Sequence, residues 1–165
     1  MKRTVKIFAV AVVALIGFAT VSYAQPRAIG ANLGGHLGFS YQHSLGTNNM
    51  VDLDVSVPIL GNVWGLSGTC TYDWIDPGNT PVPWNNKGEW HWYAGVGGAF
   101  GSYDFDSFFV GVAGHIGIEY DFWFPLQLSL DYRPSIGISN FADSKTGWFD
   151  ANGFYGISLG VRYRF

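Results

Sequence analysis

Four histidines, His36, His43, His91 and His115, are the side chains best suited to move protons near neutral pH, and a regular spacing among them would mark a metal centre. None stands at a metal-ligand spacing from another, and the chain holds no HExxH, CxxC or Gly-x-Ser-x-Gly element. His43 precedes Ser44, but consecutive strand residues point to opposite faces, so the pair cannot converge for nucleophile activation unless the strand has ended. His115 and Glu119 share a strand face, yet they stand about 13 Å apart along it at 3.3 Å per residue, which excludes a direct acid–base dyad. Both are expected as satisfied interior groups. Gly95, Gly97 and Gly98, with Gly111, Gly114 and Gly117, precede no helix and so cradle no phosphate; they suit close packing in a strongly curved sheet. No catalytic, cofactor-binding or metal-binding residue is therefore assigned, and no cofactor is expected.

What must position these side chains is a series of strands with two chemically distinct faces. In 154–165, Tyr155, Ile157, Leu159, Val161, Tyr163 and Phe165 alternate with Gly156, Ser158, Gly160, Arg162 and Arg164. The same period of two sets Val51, Leu53, Val55 and Val57 against Asp52, Asp54 and Ser56, and Leu66, Cys70, Tyr72 and Trp74 against Ser67, Thr69, Thr71 and Asp73. In 90–101, Trp90, Trp92, Ala94, Val96 and Phe100 oppose His91, Tyr93, Gly95 and Gly97. Val110, Val112, Ile116, Ile118 and Tyr120 oppose Gly111, His115, Gly117 and Glu119, and Leu126, Leu128, Leu130 and Tyr132 oppose Gln127, Ser129, Asp131 and Arg133. Such repetition is how a transmembrane β-barrel reads, with apolar residues toward lipid and charges in the lumen. Closure is then compulsory, because an open edge would leave backbone groups unpaired in hydrocarbon. Eight strands leave room only for side chains or one small ligand, so Asp131, Arg133, Arg162 and Arg164 are expected in a buried ionic network.

An export signal supports this reading. Lys2, Arg3 and Lys6 precede the apolar run 7–21, and Ser22-Tyr23-Ala24 offers a cleavage site, so 1–24 is expected to be a removed signal peptide and 25–165 the barrel domain. Without the three basic residues of the leader, the twelve acids outweigh the bases more strongly than the formal charge of -3 for the whole chain indicates. Such a surface argues against nucleic acid as a partner. Cys70 is the single cysteine, so no intrachain disulfide forms. Aromatics make up 18% of the chain, and most Trp and Tyr fall near the ends of the expected strands, where aromatic girdles belong.

Seven runs are legible, 28–43, 50–58, 63–74, 90–101, 109–120, 126–133 and 154–165, whereas such barrels have an even number of strands. The missing strand is expected inside 28–43, turned into a hairpin at Gly34-Gly35. A strand within 75–89 competes with it, although Pro77, Pro81 and Pro83 make that stretch read as a loop. Long connections are expected at 75–89 and 135–153, with Trp84, Trp148 and Phe149 as contact or interface residues.

Ser40-Tyr41-Gln42-His43-Ser44-Leu45-Gly46, Trp92-Tyr93-Ala94-Gly95-Val96-Gly97, Gly117-Ile118-Glu119-Tyr120, the segment from Pro125 to Pro134 and the terminal Val161-Arg162-Tyr163-Arg164-Phe165 resemble the small outer-membrane β-barrel proteins of Bacteroidetes. That family is similar in architecture to the eight-stranded OmpX/OmpA-like barrels. The resemblance implies an all-β, closed antiparallel eight-stranded transmembrane barrel in the cell outer membrane. It also implies contact with outer-membrane lipids, insertion by the barrel-assembly machinery through a final strand ending in Phe165, and no established reaction. The expected role is non-enzymatic, structural or surface-interacting, with an extracellular protein or glycan met through the loops. The alternatives are an outer-membrane lipid-modifying enzyme, for which His43 beside Ser44 comes nearest, and a binding barrel for a small amphiphile.

Overall fold

The computed structural model describes residues 25–59, 65–76, 87–103, 107–140, 147–150 and 156–165. These form β1 (Gln25–Gly34), β2 (His36–Ser44), β3 (Asn49–Pro58), β4 (Gly65–Ile75), β5 (Gly88–Tyr103), β6 (Ser107–Phe122), β7 (Leu126–Tyr132), β8 (Ser135–Asn140), β9 (Gly147–Asp150) and β10 (Ile157–Arg164). Every pairing is antiparallel, and because β5 pairs with β6 while β10 pairs with β1, the sheet closes on itself. Strands β7 and β8 follow one register along β6, with Ile116 opposite Tyr132 and Ala113 opposite Ser135, so they are one stave. Strands β9 and β10 line the other side of that stave. The result is an eight-stranded closed barrel.

The eighth stave is the hairpin expected at Gly34-Gly35. Leu33 faces Leu37 as the last pair, and each arm reaches a length fit for a tilted span because β1 starts at Gln25 and β2 runs on to Ser44. No strand between β4 and β5 is needed for closure, and 77–86 lies outside the described residues. The expectation of a long loop over 135–153 is corrected. Residues 135–140 continue β7 beyond Arg133-Pro134, and 147–150 form β9, which carries Trp148 and Phe149. Pro134 hid this continuity. It interrupts the strand assignment, yet its carbonyl still accepts from the Gly114 N–H at 2.8 Å, so the ladder passes through the proline.

Side chains sort by face as the alternation requires. Val112 is 62% and Val110 59% exposed on β6, while the charged Arg162 is 1% exposed. This is the inverse of a water-soluble sheet, and a contiguous apolar exterior of this kind suits lipid. Cys70 sits half-exposed on that outer face. At the end where the chain terminates, aromatic rings pack in a partial girdle: Trp90 on Tyr120 at 4.9 Å, Tyr120 on Phe122 at 4.7 Å, Tyr72 on Trp74 at 5.1 Å and Tyr163 on Phe165 at 5.6 Å between centroids. A closed barrel with this exterior is compatible with a membrane location, where the apolar band and lipid meet.

Strands β4 and β8 end at opposite ends of the barrel: β4 at the end that carries Gln25 and Phe165, β8 at the other. Just past β4, Asp76 has a positive φ of 45° and its carboxylate takes the Trp92 N–H at 3.1 Å while meeting His91 Nδ1 at 2.6 Å.

Candidate functional site

Five strands deliver the middle layer of the lumen: β3 brings Asp52 and Asp54, β4 Thr71 and Asp73, β6 His115, β7 Ser129 and Asp131, and β10 Arg162. Arg133 follows directly on β7. All are buried. Their inward direction is the period-two consequence of the apolar residues between them facing out.

Two guanidiniums organise the layer. Arg162 donates through Nε to Ser40 Oγ at 2.8 Å, through Nη1 to Ser129 Oγ at 2.5 Å, and through Nη2 to Asn32 Oδ1 at 3.2 Å and Asp131 Oδ2 at 3.3 Å. Arg133 Nη2 lies 3.2 Å from Asp52 Oδ1, 2.8 Å from Asp54 Oδ2 and 3.8 Å from Asp131 Oδ1. A buried charge is tolerated only when paired, and these contacts provide the pairing. Gly160 makes the space: a Cβ there would meet Ser129 Oγ, the Arg162 guanidinium and Asn32 Oδ1.

His115 stands between carboxylates. Its Nδ1 lies 3.0 Å from both Asp73 oxygens and its Nε2 3.3 Å from Asp131 Oδ1. Thr71 donates to Asp73 Oδ2 at 3.0 Å, Ser129 to Asp131 Oδ2 at 2.7 Å, and Tyr93 Oη to Asp131 Oδ1. Asp52, Asp73 and His115 each present one ligand-type atom, all within 4.8 Å of one another and all buried. These three, in a lumen threaded by ion pairs, overturn the expectation of a purely structural, non-enzymatic barrel: they are the makings of an internal site for catalysis or binding.

Beneath this layer the terminal end is plugged. Arg27 pairs with Glu119 and donates to Gln42 Oε1 at 2.9 Å, Arg164 meets Asp121 at 3.3 Å, and Met50, Ile75 and Tyr93 pack as an apolar cluster. Above it the lumen opens as a cup at the other end, a cavity of about 60 Å³ lined by Asn32, Asp54, Ser56, Thr69, Arg133 and Ser135 among others. Thr69 Oγ1, Arg133 Nε and Ser135 Oγ, all buried atoms, have no hydrogen-bond partner there. Asp54 Oδ2 has its ion pair with Arg133 but no aligned hydrogen bond.

The expected network of Asp131, Arg133, Arg162 and Arg164 forms in large part, with Arg164 diverted to Asp121 at the rim. His115 and Glu119 are served by different partners, as their separation demands. His91 belongs to the Asp76 clamp. His43 Nδ1 meets Tyr41 Oη at 2.7 Å, and because β2 runs through Ser44, His43 and Ser44 point to opposite faces. The lipid-enzyme arrangement built on that pair does not form. His36 opens β2 and lines the cup.

Sequence reasoning missed Arg27. The β1–β2 register shifts between Pro26 and Ala28, and this bulge turns Arg27 inward beside the buried Ala28, where strict alternation would send it to lipid. Asp121 lies one residue beyond the run 109–120, and counting on by two from Glu119 reaches it. Compared with protein-family models, curated proteins and solved structures, the chain matches none.

Proposed function

We propose that the protein is an outer-membrane barrel that binds the hydroxyl-bearing head of a small amphiphile in its lumenal cup. The observation that carries this reading is that Thr69, Arg133 and Ser135, each with a buried polar atom that has no hydrogen-bond partner, line one cavity open at the end away from the termini. Leaving such atoms unmet costs on the order of 1–3 kcal/mol each, so a group that meets them binds with advantage. Arg133 Nε requires an acceptor, whereas Asp54 and the excess of carboxylates in the layer below repel an anion. A neutral hydroxyl, which both accepts and donates, answers both demands. The cavity of about 60 Å³ suits a head group rather than a whole lipid.

On this reading residues 1–24 are removed on export, both termini face the periplasm and the cup faces outward. The exposed apolar band and the partial girdle of aromatics favour such a placement, as does the likeness of the quoted segments to the small outer-membrane β-barrel proteins of Bacteroidetes. Strand β10, with Tyr163 exposed, together with the exposed Phe165 that follows it, is the segment offered to the assembly machinery.

Native mass spectrometry of the barrel extracted gently from its own membrane tests the assignment. A small-molecule adduct is expected, lost in Ser135→Leu, whose longer side chain fills the cup, while that variant keeps heat-modifiable migration. A wild-type barrel carrying only water, or an adduct unchanged in the variant, refutes it.

A further inference from the structure

Four carboxylates, Asp52, Asp54, Asp73 and Asp131, crowd the middle of the lumen, and the cationic side chains within ion-pair distance of them there are Arg133 and Arg162, with His115 between Asp73 and Asp131. His115 meets carboxylates through both ring nitrogens, so the imidazole is the point on which these acidic groups converge.

We propose that Asp52, Asp73 and His115 bind one divalent transition-metal ion, of which zinc is the natural representative. The donor set is of the right chemistry, two carboxylate oxygens and an imidazole nitrogen. Asp73 oxygens and His115 Nδ1 are 3.0 Å apart, close to the separation of adjacent ligands around an ion with bonds of about 2.0–2.2 Å, and the donor atoms of all three residues lie within 4.8 Å of one another.

The far side of the ring supplies the independent support. A metal-bound histidine nearly always gives its other ring N–H to a carboxylate, and His115 Nε2 faces Asp131 Oδ1 at 3.3 Å. Asp131 is itself held by Ser129, Tyr93 and Arg162, so it orients the ring without joining the ligand set. Thr71 does the same for Asp73 from Oγ1 at 3.0 Å. Three protein ligands leave a coordination position open, and the cup above, reached past Asp54 and Arg133, is the route by which an ion enters.

The barrel refolded into detergent after chelator treatment, with folding verified by heat-modifiable migration, should take up one equivalent of Zn²⁺, read by elemental analysis after desalting. Asp73→Asn and His115→Gln should each abolish uptake, and Asp131→Asn should weaken it by about 10–100-fold, the loss typical of an orienting partner. Should a ligand variant fail to fold, X-ray absorption on the zinc-loaded wild type decides the matter, since imidazole scattering with oxygen neighbours is required. Folded wild type that retains no zinc, uptake that persists in folded His115→Gln, or a zinc spectrum without imidazole each overturns the proposal.

Discussion

Arg162 and Arg164 lie two residues apart on the same face of β10, and a sequence pattern treats them alike; the structure predicts that their loss differs several-fold. Arg162→Met keeps most of the volume but removes the guanidinium from Ser40, Ser129, Asn32 and Asp131, leaving those groups buried and short of a partner. Removing one member of a buried ion pair costs about 3–5 kcal/mol. Arg164 has one ion pair, to Asp121 at 3.3 Å, and its side chain is 35% exposed at the rim, so Arg164→Met should cost no more than about 1 kcal/mol. With a urea dependence of about 2 kcal/mol per molar, the midpoint should fall by roughly 2 M for the first variant and by less than about 0.5 M for the second. The assay is reversible urea unfolding of the barrel in lipid vesicles, followed by tryptophan fluorescence and by gel migration. Adding Asp131→Asn to Arg162→Met should restore part of the loss, since the carboxylate abandoned by one change is neutralised by the other, and contacting residues couple by about 0.5–3 kcal/mol. Equal midpoints for the two single variants, or a stabilised Arg162→Met, would refute the claim that the lumen network carries its charges at a cost that pairing offsets.

Val112→Arg, near the middle of β6 and 62% exposed, should destabilise the barrel in vesicles by about 2–4 kcal/mol, measured by the same titration; a neutral result would mean that this face does not meet hydrocarbon. Gly117→Val should lower the stability by about 1–3 kcal/mol, read by the same titration, because the new Cβ would meet the Tyr93 ring, which is fully buried and bonded to Asp131. Phe165→Asp should slow insertion in pulse-labelled cells far more than it lowers the stability of barrels already assembled, since the ring is 70% exposed and contributes little buried area; insertion at the wild-type rate would contradict the role given to β10.

The faces of the strands were decided by sequence, because with a side-chain period of two a single polar residue in each run settles which way every neighbour points. Asp52, Asp131 and Arg162 could therefore be assigned to the lumen, whereas the hairpin at Gly34-Gly35 followed from the even strand count and competed with a strand within 75–89. Pro134 and Pro26-Arg27 show where local signals mislead. A proline that keeps its register along β6 looks like a strand end, and a bulge that turns Arg27 inward leaves no mark in the alternation. The convergence of Asp52, Asp73 and His115 was not legible at all. They come from β3, β4 and β6, and what brings their donor atoms within 4.8 Å is the stagger of the ladders and the curvature of a closed sheet, quantities that depend on every pairing around the barrel at once. Alternation tells which residues share the lumen; only closure tells which of them touch.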